Sequence, residues 1–485
     1  MINERRHLMK AEFSPYLKSI AAGLKELIVE LSQHFDYVSV LSTDSVGFSM
    51  AASPRVKSIT GNTLMTERGN VVRVYKNGLY SEYSFNLFDL DKVKETADKI
   101  RKILDAQISL LEQTGSQVYT TKMLEDEPQE LFVEMETDSL PETTDLAKLM
   151  EKLISFSSEG MSLSEEIVDC NVRAQSTHVC KMFLTKNKDL RQSYVYSEGG
   201  ISMTGVRGEK MDYSHNGVSD REGPHIFDSL VETIQKTFKE LNDNLGSERI
   251  EPGEYDIITT PEVSGLIAHE AFGHGVEMDM FVKKRALGAS YIDKRVGSDK
   301  VTMHEGAKCV KDVASYAFDD EGTLAGDVIE IDKGILKTGV CDALAALRLG
   351  CEPTGNGKRQ NFEHKAYTRM TNTMFDPGEY TKEEMIASVK KGYLLSGMFS
   401  GMEDPKHWGI QCIIARGYEL IDGKLTGKVV SPVVLTGYVP DLLGSITMAS
   451  KDYVSFGNGA CGKGYKEWVK VSDGGPYLKA RARLG

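Results

Sequence analysis

The chain has 485 residues, of which 40% are hydrophobic and 27% are charged, and its net charge at neutral pH is -13. This length is sufficient for two or three domains with a large apolar core. The negative charge argues against broad binding of nucleic acid or of an anionic membrane. No apolar run approaches the roughly 20 residues that span a bilayer, and residues 1–20 lack the apolar core of a signal peptide. We therefore expect a cytoplasmic protein with no membrane and no nucleic-acid partner.

The cysteines argue against a disulfide-stabilised protein. Their odd number and their wide, irregular spacing favour a reducing compartment, in which most of them are buried free thiols. The seven residues are Cys170, Cys180, Cys309, Cys341, Cys351, Cys412 and Cys461.

The first half of the chain mixes helical and strand-like segments. Apolar residues at three- and four-residue steps predict amphipathic helices at 16–34, 91–113, 143–160 and 226–246. Between the first two helices, segments rich in Val, Tyr and Ser predict strands, and the sequence "KNG" is typical of a hairpin turn. Residues 165–205 also alternate as strands do. We therefore predict an α+β N-terminal domain over residues 1–246, with Gly246 as the C-cap of its last helix.

The second half of the chain is richer in turns and strands. Residues 247–253 have the composition of a linker, and the strand "YDIITT" follows them. Pro261 suits the first turn of a helix, so a short helix is predicted that carries "HEAFGH" near its end. Beyond residue 300, alternating segments predict mostly β-structure with one helix at 382–395. The predicted fold class is therefore α+β, with a β-rich C-terminal domain over residues 247–485 that contains this helix.

The segment "HEAFGH" places a glutamate directly after the first of two histidines, His269, Glu270 and His274. Zinc peptidases often carry His-Glu-x-x-His, whose histidines share one helical face. Here the second histidine comes one residue later, and positions five apart on an α-helix are offset by roughly 140°. Either a π-bulge aligns the two imidazoles or the helix breaks at Gly273. The cluster is also compatible with ordinary surface or capping residues.

Local spacing does not choose a third metal ligand. Glu277 and Asp279 lie nearby, and an acidic third ligand is common in zinc hydrolases. His304 and Cys309 form another candidate pair. Cys461 lies in the glycine-rich segment "SFGNGACGKG", where a thiolate could bind metal.

Two glycine-containing segments raise the alternative of phosphate or anion binding. Residues 457–463 match the pattern G-x-x-x-x-G-K of a nucleotide-binding loop, but Gly464 stands where Ser or Thr should hold magnesium. The residues that follow alternate as in a strand, whereas such a loop should open a helix. The segment "TGNGKRQ" at 354–360 could bind an anion through backbone amides and its two cations, or be a flexible basic turn.

Several segments together resemble the TldD/PmbA family of metallopeptidases. They lie between about residue 254 and residue 464 in the family's order, and the His-Glu-x-x-x-His spacing is this family's signature. The matching segments are "YDIITTPEVSGLIAHEAFGHGVEMD", "FDDEGTLAGDVIEIDKGIL", "PTGNGKRQNF", "RMTNTMFDPGEY" and "GACGKG". Met278 stands where family members often have a small residue, which raises the expectation of an altered substrate rim.

The resemblance implies a zinc site and a peptidase activity. His269, His274 and Cys461 would be the metal ligands, with no cofactor beyond Zn²⁺. Glu270 would be the general base that activates zinc-bound water for the hydrolysis of unfolded or extended peptides. Family members form dimers that enclose the active site, so a homodimer or a heterodimer with a homologous subunit is expected. The alternative is a non-catalytic partner or regulatory subunit of a TldD/PmbA-type complex.

Overall fold

The structure is a computed structural model that describes residues 8–114, 120–463 and 467–485. Over these ranges the chain forms two large sheets, of eight and eleven strands, with helices packed against them. The predicted α+β fold class is confirmed. Among the described helices, none combines the length and the apolar character that crossing a bilayer requires.

The helices in the described ranges are numbered in chain order. They are α1 (Pro15–Leu31), α2 (Val93–Thr114), α3 (Leu146–Ser162), α4 (Leu230–Leu245), α5 (Pro261–Leu266), α6 (Asp279–Val282), α7 (Ala343–Leu349), α8 (Lys382–Ala387) and α9 (Val439–Gly444). A π-helical segment (Ile267–Gly273) and a short 3₁₀ turn (His274–Val276) directly continue α5.

The strands are numbered in the same way. They are β1 (Met9–Lys10), β2 (Tyr37–Ala52), β3 (Lys57–Thr60), β4 (Glu67–Lys76), β5 (Leu79–Phe85), β6 (Gln129–Glu134), β7 (Glu136–Thr137), β8 (Ile167–Leu184), β9 (Lys188–Arg207), β10 (Lys210–Asp220), β11 (Gly253–Thr259), β12 (Met303–Glu305), β13 (Val328–Asp332), β14 (Ile335–Leu336), β15 (Gly357–Lys358), β16 (Tyr367–Thr368), β17 (Asn372–Phe375), β18 (Lys391–Asp404), β19 (Gly409–Ile421), β20 (Lys424–Val430), β21 (Val433–Tyr438), β22 (Met448–Lys463) and β23 (Glu467–Leu484).

The eight-stranded sheet buries both of its faces. Its main order is β10-β9-β8-β2-β4-β5, and these strands are antiparallel. Because side chains alternate between faces, Val38 and Val40 point to the same side as Phe48 and Met50. The first pair packs in a core with α1 and α2, and the second pair packs in a core with α3 and α4. Leu41, on the opposite face, packs against residues of the C-terminal half.

The eleven-stranded sheet contains a closed ring. Strand β11 pairs with β18 on one side and with β23 on the other, and β19 and β21 complete the circuit β11-β18-β19-β21-β23. Strand β22 lies outside this ring and pairs with β23. Helix α5 follows β11 directly, so the ring fixes the position of the "HEAFGH" segment relative to β22.

Most of the predicted elements are present, with one clear correction. The "KNG" turn joins β4 to β5, and its Asn77 and Gly78 have positive φ angles of 55° and 83°. The helix predicted at 382–395 ends at Ala387, and its second part is the beginning of β18. That part pairs in parallel with β11, so tertiary pairing overrides the local helical pattern.

The two large sheets use separate parts of the chain. The predicted division into two domains between residues 246 and 247 stays a prediction.

Close backbone packing holds α5 on β23. A Cβ atom built on Gly265 would lie 2.5 Å from the Asp473 carboxylate and 2.6 Å from the backbone nitrogen of Gly474. These distances are shorter than any normal contact, so a side chain at residue 265 would push the helix away from the strand. His269 lies one helical turn further along, and its position therefore depends on this contact.

Gly265→Ala should reduce the stability of the fold. Overpacking of this kind typically costs about 1–3 kcal/mol, and a shift of a rigid backbone is the only relief here. Urea unfolding followed by circular dichroism measures the loss. Gly409→Ala is the matched control, because a Cβ atom at residue 409 meets nothing within 4 Å. Equal unfolding midpoints for the two variants would contradict this account.

Candidate metal centre

A π-helical turn brings the two motif histidines together. The backbone N–H of His274 donates to the carbonyl oxygens of His269 and Phe272, and the first of these bonds spans five residues. Gly273 keeps helical backbone angles (φ -54°, ψ -48°), so the helix is not broken there. A π-turn places residues i and i+5 on the same face. The extra residue of the motif is thus accommodated by the bulge.

Three side chains converge at this turn. The rings of His269 and His274 lie 5.3 Å apart between centroids and are almost perpendicular, at 87°. The Sγ atom of Cys461, on β22, is 3.3 Å from Nε2 of His274. One ligand atom from each residue lies within 4.8 Å of the other two. In the described part of the chain, this is the single cluster of histidine, cysteine and acidic side chains compact enough to hold a metal ion.

The donor set fits zinc in type, and its sulfur–nitrogen pair has a suitable spacing. Catalytic zinc sites commonly have three protein ligands and one open position. Tetrahedral ligands at normal Zn–N and Zn–S lengths lie about 3.3–3.6 Å apart, which agrees with the sulfur–nitrogen distance of 3.3 Å. His269 is 3% exposed and Cys461 is 6% exposed, so a bound ion would be shielded from bulk water.

The three groups also perturb one another electrostatically. Burial raises the pKa of the Cys461 thiol, but His274 and His269 outweigh it and hold that pKa well below its ordinary value. Burial lowers the pKa of His269, but the nearby sulfur raises it to about 9. The same sulfur and Glu277 raise the pKa of His274 well above its ordinary value against the effect of burial. These shifts favour the thiolate form of Cys461 and the charged forms of the two imidazoles when no metal is bound.

Glu270 lies beside the cluster, in contact with β18. Burial raises the pKa of its carboxyl group, and the two neighbouring histidines oppose that rise. A Cβ atom built on Gly401 of β18 would lie 2.6 Å from Cγ of Glu270. Residue 401 must therefore lack a side chain for the glutamate to occupy this position. The side chain of Glu270 therefore lies between its helix and β18, close enough to both histidines to interact with them electrostatically.

The nearby acidic candidates do not join the cluster. Glu277 is 2% exposed, and its Oε2 atom is 3.2 Å from Nδ1 of His274. It thus contacts the nitrogen opposite the one that faces Cys461, as a carboxylate that orients a metal-binding histidine does. Asp279 instead accepts hydrogen bonds from Lys463 at 2.7 Å and from Lys283 at 2.9 Å.

The other candidates from the sequence have internal roles. His304 lies between Asp327 (2.8 Å) and Asp376 (3.4 Å), and it forms no compact cluster with Cys309 among the described residues. Residues 457–463 belong to β22 and do not precede a helix, which argues against a nucleotide-binding loop. Gly464 lies outside the described residues.

The segment 354–360 is engaged within the protein. Lys358 is buried and donates to the carbonyl oxygens of Met370 (3.2 Å) and Lys470 (2.5 Å). Arg359 is paired with Glu82 at 2.6 Å. Neither cation is therefore free to bind an external anion, and the flexible basic turn is also excluded. Met278 is 9% exposed and packs in the C-terminal core, which does not place it on an open rim.

All seven cysteines lie in the described ranges, and all are free thiols, as expected. Cys351 is the most exposed of them, whereas Cys461 is buried.

A second catalytic-looking arrangement occurs in the N-terminal sheet. Ser193 Oγ lies 2.7 Å from Nε2 of His178, whose Nδ1 contacts Glu142. Ser193 is completely buried, so a substrate does not reach its hydroxyl group. Against the effect of burial, hydrogen bonds with Cys180 and Glu142 raise the pKa of His178 to about 10, so it is charged near neutrality and is a poor base. We assign this arrangement a structural role.

Sequence reasoning missed several residues around the centre. Arg369 is 1% exposed and donates to the backbone carbonyl of Cys461 at 2.8 Å. Burial raises the pKa of Asp473 to about 7, although His269 opposes the shift. Glu305 is fully buried and accepts from the backbone N–H and the hydroxyl of Thr371, both at 2.6 Å. Arg369 and Thr371 fall in the quoted segment "RMTNTMFDPGEY", which was the only available signal for them.

Comparison with known proteins finds a family match over the part of the chain that contains this centre. The PmbA/TldA metallopeptidase C-terminal domain matches residues 252–482, which include all the residues of the centre. Over this matched part, the comparisons support a relationship to the TldD/PmbA family. The matched residues include both the bulged helix and β22.

Two curated relatives are named as metalloproteases. A metalloprotease of Methanocaldococcus jannaschii is 33% identical over 232 residues, which are 48% of this chain and 51% of that protein. The zinc metalloprotease TldD homolog of Saccharolobus solfataricus is 30% identical over 262 residues, 53% of this chain and 57% of that protein. The matches thus span about half the length of these relatives.

A solved structure shares the whole fold. TldE from Thermococcus kodakarensis superposes with a TM-score of 0.74, covering 96% of this chain and 100% of the other, at 16% sequence identity. At this level of identity the likeness concerns the fold alone. It extends over both large sheets, whereas the family domain matches only the second half of the chain.

Cys461→Ala should sharply weaken zinc binding, because it removes one of three candidate ligands. Changes in groups behind metal ligands already cost 10- to 100-fold in affinity, so a loss of at least about 100-fold is expected for the ligand itself. Zinc content after dialysis, measured by mass spectrometry, tests this directly. Cys351→Ala is the control, because that exposed thiol lies outside the cluster. Unchanged zinc content in Cys461→Ala would remove this residue from the ligand set.

Proposed function

We propose that the protein is a zinc-dependent peptidase that hydrolyses unfolded or extended peptides. The observation that carries this proposal is the convergence of His269, His274 and Cys461 beside the carboxylate of Glu270. The names of the metalloprotease relatives support the reaction class, and the name of the Saccharolobus solfataricus relative supports zinc.

The residues of the chain divide the chemistry between binding and proton transfer. His269, His274 and Cys461 would hold the ion, which supplies Lewis acidity toward a carbonyl group and lowers the pKa of water when bound. Glu270 then accepts a proton from the attacking water at a carboxylate oxygen and delivers it to the leaving nitrogen. Its raised pKa suits the first transfer, because a carboxylate with a higher pKa is a stronger base toward the attacking water.

The free edge of β18 is a suitable place for an extended peptide. Over residues 396–404 this strand pairs with β19 on one side, and in the described residues its other side pairs with β11 only at 392–395. Gly401 lies in this free stretch and contacts Glu270. A peptide added as a strand gains affinity through backbone hydrogen bonds with little demand on its side chains. The scissile bond would then pass beside Glu270.

We also propose the domain and subunit arrangement. An α+β domain over residues 1–246 precedes the catalytic domain over 247–485, and the protein acts in the cytoplasm as a homodimer or with a homologous subunit. The fold shared with TldE supports a homologous partner. Because both histidines and Glu270 are present, this chain is proposed as the catalytic member of such a pair.

Glu270→Gln tests the mechanism. We expect kcat to fall by about 10²–10⁴-fold, the usual contribution of a general acid–base group, while one zinc per chain is retained. Peptide cleavage is followed by mass spectrometry on a mixture of unfolded peptides, and zinc is measured on the same sample. Glu254→Gln, an exposed residue at the start of β11, is the control and should behave as the wild type.

The outcomes separate the alternatives. Loss of wild-type cleavage on addition of a chelator, with recovery on addition of zinc, supports metal-dependent hydrolysis. Cleavage by Glu270→Gln at the wild-type rate would eliminate this residue as the base. A zinc-loaded wild type that cleaves none of a broad set of unfolded peptides would favour the regulatory-subunit alternative.

A further inference from the structure

The candidate metal ligands come from two distant parts of the chain. His274 and Cys461 are 187 residues apart, yet their side chains are in contact. The helix supplies the histidines, and β22 supplies the cysteine. The affinity of such a site for a metal ion depends on how firmly these two elements are held in one relative position.

A buried arginine is attached to the strand that carries Cys461. The guanidinium of Arg369 donates from Nη2 to the carbonyl oxygen of Cys461 and from Nη1 to the carbonyl oxygen of Glu467, each at 2.8 Å. The first carbonyl belongs to β22 and the second to β23. The backbone N–H of Arg369 donates to Asn356 at 2.9 Å, which fixes the arginine at its other end.

A buried glutamate connects this arginine to the histidine pair. Nε of Arg369 lies 3.8 Å from Oε1 of Glu277, and Oε2 of Glu277 lies 3.2 Å from Nδ1 of His274. The two side chains are only 1% and 2% exposed. Neither Nε of Arg369 nor Oε1 of Glu277 has a hydrogen-bond partner among the described residues, so these two groups are in ionic rather than hydrogen-bonded contact. Glu277 therefore lies between the arginine that is attached to Cys461 and one of the two histidines.

Lys463 closes the connection from the end of β22. Its Nζ atom lies 3.1 Å from Oε2 of Glu277 and 2.7 Å from Oδ1 of Asp279, and it donates to the carbonyl oxygen of Thr368 at 2.9 Å. Glu277 thus contacts one metal-ligand histidine and two cations that are anchored on or beside β22.

We infer that Glu277 and Arg369 are positioning residues that join the histidine and cysteine parts of the metal centre into one preorganised site. Glu277 orients the imidazole of His274 through its contact with Nδ1. Arg369 fixes the backbone of Cys461 through its hydrogen bond to the carbonyl oxygen, and so keeps the sulfur near His274. This inference rests on the proposed zinc site, and it adds that the affinity of the site depends on side chains that do not touch the ion. Residues that hydrogen-bond to the metal ligands typically contribute 10- to 100-fold to the affinity for the metal ion.

A purely structural role makes a different prediction. Arg416 provides the matched comparison, because it is 2% exposed, lies 3.2 Å from Glu240 and also bonds to Asn244 at 2.8 Å. That pair joins β19 to α4 and contacts none of the candidate ligands. If Arg369 only stabilised the fold, replacing it would have the same consequences as replacing Arg416.

The experiment compares Glu277→Gln, Arg369→Lys and Arg416→Lys in the full-length protein. Gln keeps the shape of Glu277 but removes its charge, and Lys keeps the charge of Arg369 but cannot form the two forked hydrogen bonds. The dissociation constant for Zn²⁺ is measured by competition with a chelator, and thermal unfolding is measured without metal. The sulfur-to-metal absorption band of the Co²⁺-substituted protein reports the geometry at Cys461.

We expect a 10- to 100-fold weaker Zn²⁺ affinity for Glu277→Gln and Arg369→Lys, together with a weakened or shifted Co²⁺ band. Arg416→Lys should lower the unfolding temperature of the metal-free protein at least as much but keep the wild-type affinity and band. If the two site variants and Arg416→Lys change Zn²⁺ affinity equally, the inference is overturned.

The proposed function fails in a different way. A wild type that binds Zn²⁺ tightly but cleaves no peptide overturns the peptidase assignment, and the affinity comparison still decides the positioning roles. A wild type that binds neither Zn²⁺ nor Co²⁺ overturns both.

Discussion

The backbone hydrogen bond from His274 to the carbonyl of His269 is the constraint on which the candidate centre depends. It replaces the normal four-residue helical bond with a five-residue bond and rotates the second imidazole onto the face of the first. A regular helix would separate the two rings by roughly 140°. Without this bulge the histidines cannot both face Cys461, however the rest of the domain folds.

Two further constraints act on this turn from opposite sides. Gly265 allows α5 to lie directly on the backbone of β23, and Gly401 allows β18 to approach Glu270. The absence of a side chain at residue 265 fixes the helix that carries His269, and its absence at residue 401 leaves space for the side chain of Glu270. The ring of strands that carries β18 and β23 then holds these contacts together, because a closed sheet has fewer ways to shift than an open one.

The sequence predicts the local features of this protein better than its long-range contacts. The amphipathic helices, the "KNG" hairpin and the glutamate beside His269 follow from periodicity, turn chemistry and motif. The segment 391–395 has a helical pattern but forms a strand because it pairs with β11, and no local pattern reveals this pairing.

The site depends even more on long-range contacts. The choice between a bulge and a break at Gly273 depends on packing around the turn. Likewise, Glu277 could be a ligand by spacing, and only its contact with Nδ1 of His274 places it behind the histidine. No local pattern predicts the role of Arg369, because the partners of its guanidinium lie more than ninety residues away in either direction along the chain.

The order of the elements along the chain has a consequence for protein synthesis. The histidines and Glu270 lie at least 187 residues before the cysteine, which lies on β22, and β22 pairs with β23, the strand that follows it. A ribosome-bound chain therefore has its base and two candidate ligands long before the third candidate ligand can join them. Such a nascent chain would be unable to form the complete centre, so a peptidase built in this way would remain inactive toward its own unfolded segments until its C-terminal hairpin has formed.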